Sequence, residues 1–314
     1  MELKLKVDFP MADFHSKITH HDSVVLLGSC FANEIGSKFR HVGFDAHRSQ
    51  FGTIFHPIPL ARLVSESIVG LKDERILQRN DVFLSWDASS SMFDLSVAPL
   101  VEKLTAERMI LKEKMKCASL VFITLGTALG YTEINQNLIV ANCHKMPKDH
   151  FYKSLTDYEL LIDTWMNTLT DLFALNPSCE VVFTVSPVRH IKDGLVENNR
   201  SKSRLFELIS ALEAHPQVHY FPAYEIVIDE LRDYRFYKVD GIHPNQQAID
   251  YVWNRFSATF LNEITQSICE EVNTLRRMES HETLFEGSRE VTRFKTQRTE
   301  KISAFLAKNP SVRW

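Results

Sequence analysis

Two short stretches of this 314-residue chain carry side chains whose types and spacing could do covalent chemistry. In "SVVLLGSCFANEIG" (23–36) an apolar, β-rich run ends at Gly28, and Ser29 and Cys30 follow at once. Phe31, Ile35, Phe39 and Val42 then recur at helical spacing. Ser29 thus stands at a strand exit and a helix N-terminus, where unpaired amides and the helix dipole stabilise an anion such as an acyl-transfer oxyanion. Ser is also a favoured N-cap residue, so position alone leaves capping and catalysis both open. Cys30 is the rival nucleophile, because the same dipole activates a thiolate. One residue further along, however, its side chain is expected to turn toward the sheet and pack as a small core residue.

The second stretch is "VDGIHPN" (239–245), in which Asp240 precedes His243 by three residues across a glycine turn. Pro244 suits the start of a helix and keeps His243 out of helical geometry. A carboxylate so placed can hold the imidazole in one tautomer, leaving the other ring nitrogen to accept a proton. Taken alone, a structural Asp–His pair accounts for this spacing better than catalysis does.

The elements that must position these residues follow from hydrophobic patterning. The runs "SVVLLG" (23–28), "SLVFITLG" (119–126) and "EVVFTVSP" (180–187) are continuous enough to be strands buried on both faces. Shorter strands are expected near 44–55 and at "QVHYFPA" (217–223). Helical periodicity lies between them, as in Leu160, Leu161, Trp165, Leu169 and Phe173. That alternation predicts an α/β sandwich on a mainly parallel five-stranded sheet. Ligands in open sheets of this kind bind at the carboxyl ends of the strands, here the loops starting at Gly28, Gly52, Gly126, Ser186 and Ala223. From Pro244 a closing helix is expected, with Ala248, Ile249, Val252, Trp253, Phe256, Phe260, Ile264 and Ile268 on one face over about six turns. After Glu271 the composition turns polar, which divides the chain into a main domain (1–271) and a charged helical extension (272–314) that could cover the pocket or mediate self-association.

Composition narrows the classes. Hydrophobic residues are 44% and charged residues 24%, as in globular proteins, and the net charge of −4 argues against a nucleic-acid partner, which needs a basic face. The opening "MELKLKVDFP" lacks a signal-peptide core and no apolar run is long enough to span a membrane, so a cytoplasmic location is expected. The five cysteines show no paired spacing, which argues against a disulfide framework. His144, His190 and His243 lack metal-ligand spacing, and neither a metal nor a cofactor is expected.

Taken together, a Ser at the first strand exit and an Asp-x-x-His-Pro before the last helix resemble the SGNH (GDSL-like) hydrolases. "GSCFA" at 28–32 resembles more closely the GSCFA domain family, a branch of that group. "FGTIFHP" (51–57), "VANCHKMP" (140–147), "PVRH" (187–190), "ENNRSKSRL" (197–205) and "YFPAYEIVIDELRDYRFY" (220–237) extend the likeness over roughly 20–260. The resemblance implies a flavodoxin-like three-layer α/β/α fold, with Ser29 as nucleophile, His243 as general base and Asp240 as its orienting carboxylate. It implies oxyanion donors in the amides of Ser29 and Gly52. The third donor of the wider group, an Asn after the third strand, is missing from "LGTALGY", leaving Thr127, Asn142 and His144 as candidates. His144, Arg189 and His190 are expected to line the substrate pocket, with Arg189 and Lys145 either binding an anionic group or pairing with local acids. The implied activity is a serine esterase removing an acyl or acetyl group from a sugar or another small molecule. A catalytically quiet binding module and an acyltransferase using the same triad are the alternatives.

Overall fold

The computed structural model describes residues 7, 9–11, 14–71 and 73–314. Its main chain runs β1 (Ser23–Gly28), α1 (Cys30–His41), β2 (Asp45–Arg48), α2 (Pro57–Val69), β3 (Ile76–Arg79), β4 (Val82–Ser85), β5 (Phe93–Asp94) and α3 (Val97–Cys117). It continues through β6 (Leu120–Leu125), β7 (Leu129–Glu133), β8 (Leu138–Ile139), β9 (Phe151–Leu155), α4 (Tyr158–Leu175), β10 (Glu180–Val185) and α5 (Leu195–Leu212). The last elements are β11 (Val218–Tyr220), α6 (Ala223–Glu225), α7 (Gln246–Phe260), α8 (Glu263–Glu279) and α9 (Arg289–Lys308). A π-helical stretch, Ile226–Leu231, follows α6 directly.

Five strands form the expected parallel sheet, in the order β11-β10-β6-β1-β2. Val24 pairs with Leu120 and with Ala46, and Val181 with Val121 and Val218. Because successive side chains alternate across a strand, β1 sends Val25 and Leu27 to one face and Val24 and Leu26 to the other. Each set joins a separate core. On the first face Val25, Leu27, Ile123 and Phe183 pack with Leu60, Leu111, Trp165 and Leu205 of α2 to α5. On the second, Val24, Leu26 and Phe122 meet Phe39 of α1 and Trp253 and Phe256 of α7. Three layers result, as the family resemblance implies, in the flavodoxin-like strand order. The chain leaves β1 in one direction for β2 and later returns on the opposite side to β6. The β1 and β6 exits therefore flank the switch point where such sheets open a ligand crevice.

Two features depart from the sequence-based expectation. The helix expected to run about six turns from Pro244 is two helices. Leu261 is extended (φ −103°, ψ 142°) and bridges to Ile18, and the Asn262 side chain then caps α8 by accepting from the Thr265 amide at 2.8 Å. Ile264 is consequently exposed, and position 271 falls inside α8. The core of α8 and α9 is a small one of its own, Val272, Leu275, Phe305 and Val312.

The chain also builds two small antiparallel sheets, β3-β4-β5 and β8-β7-β9, that the sequence does not announce. The first is pinned by a buried ionic cluster. Asp87 accepts from Arg62 Nε at 2.8 Å and Arg75 Nε at 2.7 Å, Arg108 lies 3.8 Å away, and Arg108 also binds Glu74 at 2.9 Å. Next to it Glu107 accepts from the Gln50 amide at 2.8 Å, and the Arg108 guanidinium lies over the Phe51 ring. This cluster fixes the 49–53 loop from behind. Asp87→Ala would leave guanidinium groups without their shared carboxylate, a loss of about 3–5 kcal/mol for a buried pair. The expected result is a lower urea midpoint at unchanged slope.

Candidate active site

The β1–α1 turn is dictated by Gly28. Its φ is +117°, and a Cβ there would lie 2.1 Å from the Thr124 carbonyl oxygen, so only glycine lets β1 and β6 close up at this exit. Ser29 follows in extended geometry and caps α1, its Oγ accepting from the Phe31 amide at 3.3 Å. The residue is 1% exposed. Its own amide donates to Thr124 O at 3.0 Å as a continuation of the β1–β6 ladder. That amide, expected to serve an oxyanion, is engaged in the strand pairing. The next amide, that of Cys30, donates to no carbonyl among the described residues and lies against its own sulfur.

The Asp240–His243 pair is built by a tight local loop. Gly241, at φ +70°, donates to Lys238 O at 2.9 Å, and Lys238 N donates to His243 O at 2.7 Å. One carboxylate oxygen of Asp240 accepts from the amides of Ile242 (2.9 Å) and His243 (3.0 Å), and the other contacts His243 Nδ1 at 2.7 Å. The His243 amide, then the Ile242 amide and the His243 ring, hold the Asp240 carboxyl down at about 2. With a proton on Nδ1, Nε2 is left as an acceptor. Both side chains are open to solvent, His243 at 40% and Asp240 at 44%. Asn245 then caps α7 by accepting from the Ala248 amide at 3.1 Å, so the helix starts at Gln246, three residues after His243.

This loop lies beside α1, with Lys238 Nζ 3.9 Å from Glu34 and within electrostatic reach of Cys30. Ser29 and His243 are not hydrogen-bonded to each other. In an unliganded site that contact often tightens only when substrate is bound.

Around them stand the other residues singled out from sequence. Gly52, at φ +81°, lies where a Cβ would meet Ser89 Oγ at 2.1 Å, and its amide makes a long turn contact to Ser49 O, 3.3 Å. Its loop abuts the β1 exit, since Ile54 N donates to Gly28 O at 3.0 Å and Asn33 Nδ2 to Thr53 Oγ1 at 3.2 Å. The Thr53 amide, like that of Cys30, donates to no carbonyl among the described residues.

Thr127 does not fit the donor role expected for it. Its amide donates to Phe55 O, and its hydroxyl pairs with Ser201 Oγ at 2.8 Å and accepts from the Leu129 amide at 3.1 Å. His144, expected as a donor candidate and as a pocket residue, has both ring nitrogens engaged. It is buried, with Nδ1 against Ser90 Oγ at 2.9 Å and Nε2 against Ser85 O at 2.8 Å, which locks it as a strut between two loops. Asn142 spends its side-chain oxygen on the His144 amide at 2.7 Å, and its Nδ2 meets no acceptor among the described residues.

His190 edges the Phe55 ring at 5.6 Å and lies within electrostatic reach of His243. Burial first, then Lys202, lowers it to about 4, so the ring is neutral at physiological pH. Arg189 makes no ion pair with a described carboxylate and lies within electrostatic reach of Tyr224 and Tyr237. Cys30 is a poor rival nucleophile, because burial and then Glu34 push its thiol up, away from the thiolate. Among the described residues no cluster of His, Cys, Asp and Glu is arranged to hold a metal, and no helix is long and apolar enough to cross a membrane.

One group was not legible as functional. Asn198, Ser201, Lys202 and Leu205 of "ENNRSKSRL" share the buried face of α5, a spacing of three, one and three residues that normally carries apolar side chains. Asn198 holds the His190 amide at 2.9 Å and Ser201 holds the Ala128 amide at 2.7 Å. Polar residues on a helical core stripe are the signal that could have marked them.

The sequence profile of the GSCFA family matches residues 23–256, which takes in Ser29, Gly52, Asp240 and His243. The chain belongs to the GSCFA family. No curated protein matches it. Solved structures similar to this GSCFA chain include a carbohydrate esterase family 3 from Talaromyces cellulolyticus, 11% identical, with a TM-score of 0.26 over 49% of this chain and 60% of that one. Another is the periplasmic domain of a lipopolysaccharide acetyltransferase from Salmonella ser. Paratyphi A, at 14% identity and TM-score 0.35, covering 77% of this chain and 84% of that one. A third is an acetyl xylan esterase from the rumen bacterium Butyrivibrio proteoclasticus, at 10% and 0.39, covering 86% and 66%. The chain thus spans less than two thirds of the length of the two esterases.

Proposed function

We propose that this GSCFA protein is a serine acyl hydrolase of the SGNH type, acting on an acyl or acetyl ester of a sugar or another small molecule. The reading rests on one observation: the 2.7 Å Asp240–His243 contact, on a loop set beside the helix that Ser29 caps. In this reading His243 Nε2 takes the Ser29 hydroxyl proton as Oγ attacks the ester carbonyl carbon. The tetrahedral oxyanion is received by backbone amides at the switch point, those of Gly52, Cys30 and Thr53, with the Asn142 amide group as the side-chain candidate. His243 returns the proton to the leaving alcohol, and Ser29 is left acylated. Water, deprotonated by the same Nε2, then attacks the acyl carbon, releases the acid and restores Ser29. An acceptor alcohol in place of that water would make the same residues an acyltransferase. Arg189 and His190 stand on the β10 exit as the groups that would meet the rest of the substrate.

A second reading, a binding module with no turnover, is favoured by the burial of Ser29, whose hydroxyl oxygen accepts the helix-cap bond from the Phe31 amide. Labelling with a fluorophosphonate probe, followed by mapping of the modified residue, separates the two. Modification at Ser29 is expected. A protein that stays folded and takes up no label at Ser29 would favour the binding module, and label on Cys30 would move the nucleophile.

A further inference from the structure

Lys202 is the most deeply buried cation of the described structure, 2% exposed, and no described carboxylate pairs with it. It enters from α5 and reaches the carboxyl ends of two central strands. Its Nζ donates to Gly126 O at 2.6 Å and to Ser186 O at 2.7 Å, the first residues after β6 and β10. An ammonium has three donors, and these two carbonyls use only two. Burying a charge with no counter-ion is expensive, and the group responds by giving up its proton more readily. Burial lowers Lys202 to about 7.

The groups facing Lys202 do not neutralise it. From α1 comes Cys30, within electrostatic reach, whose thiol burial pushes up and keeps protonated at neutral pH. From the β10 exit comes His190, which is neutral or positive and never an anion. Among the described residues no carboxylate pairs with this ammonium, which sits one strand away from the residue that would become an oxyanion-bearing adduct. Thr127, close to the β6 exit, has its amide on Phe55 O and its hydroxyl paired with Ser201 Oγ.

We propose that Lys202 is a positioning residue of the acyl-transfer site, its ammonium joining the β6 and β10 exits and supplying the positive charge against which the oxyanion at Ser29 develops. The assignment rests on the serine-hydrolase reading. It gives a buried, preorganised charge a purpose that packing alone does not, since such charge is worth most where water is excluded and negative charge appears only in the transition state.

The experiment is a pH–rate profile of the whole chain on one aryl ester, for wild type, Lys202→Met and Lys202→Arg. In wild type, kcat should fall as pH rises through about 7, where Lys202 loses its proton, with KM little changed. Lys202→Arg keeps its charge at every accessible pH and should flatten that alkaline fall. Lys202→Met should lose roughly 10²-fold in kcat, on the scale of one removed oxyanion donor. A wild-type kcat that stays level from pH 7 to pH 9 overturns the assignment whether or not the variants fold. So does a folded Lys202→Met enzyme at full rate, or an Arg variant with the wild-type alkaline limb. A wild-type protein inactive on every ester offered and unlabelled at Ser29 overturns the hydrolase reading, and the assignment falls with it. An independent readout of the charge itself is stability: the unfolded lysine keeps its proton to higher pH, so wild type should gain stability relative to Lys202→Met as pH rises above about 7. Parallel stability curves would show that the ammonium is not held at a cost, and would overturn the assignment as well.

Discussion

Ser29→Ala is expected to abolish turnover of a short-chain aryl ester while leaving a folded protein. The two roles of this hydroxyl differ widely in size. As a helix cap it is worth about 1 kcal/mol, a small part of the 5–15 kcal/mol that a domain commonly has in hand. As a nucleophile it is indispensable, and losing the nucleophile of a serine triad lowers kcat by roughly 10⁶-fold. Activity and unfolding midpoint measured on the same preparation therefore separate the roles. Retention of most activity at a slightly lowered midpoint would leave Ser29 a cap and nothing more. Cys30→Ala serves as the control: the half-buried thiol sits against Phe31 and Glu34 on α1, and its loss should leave most activity in place. A dead but folded Cys30→Ala beside an active Ser29→Ala would transfer the nucleophile to the thiol.

What the sequence discloses here follows from how local each signal is. β1, β6 and β10 are continuous apolar runs, and such runs are legible because parallel strands are buried on both faces. The Asp240–His243 pair is legible because three residues and a glycine turn bring the groups together without help from elsewhere. Partner choice over long separations is not legible. Thr127 is occupied by a serine 74 positions away and His144 by a carbonyl 59 positions away, and nothing near either residue signals this. The Ser29 amide is lost to Thr124 for a related reason: a strand pairing continues one residue past the apolar run that marks it. Strands as short as Phe93–Asp94 and Leu138–Ile139 carry no periodicity and exist only because β4 and β7 offer them a partner. The break at Leu261–Asn262 was hidden because Ile264 and Ile268 continue the apolar period of α7, although Asn262 is a ready N-cap.

Asp240→Asn should lower kcat by roughly 10⁴, as the same exchange does in a comparable serine triad, because an amide can bind the wrong imidazole tautomer while keeping its shape. The structure makes this a demanding test, since Asp240 does two jobs with two oxygens. Oδ1 holds the loop through the Ile242 and His243 amides, and Oδ2 holds the ring. An asparagine that keeps its oxygen on the amides preserves the loop and presents an NH₂ group to Nδ1, which turns the ring's acceptor inward and its proton toward Ser29. The carboxyl's low value, about 2, keeps Asp240 ionised across the assay range, so the loss in Asp240→Asn should be the same from pH 5 to pH 9 in any limb that His243 does not set. Whatever loop stability its amide contacts give is present at neutral pH and is lost only as pH falls toward that value. His243→Ala removes the general base and should cost at least as much. Because the pair acts as a unit, the double variant should be scarcely worse than His243→Ala alone. Fully multiplicative losses, measured on one ester with folding checked by circular dichroism, would mean that Asp240 and His243 act separately and that the 2.7 Å contact is only a loop clasp.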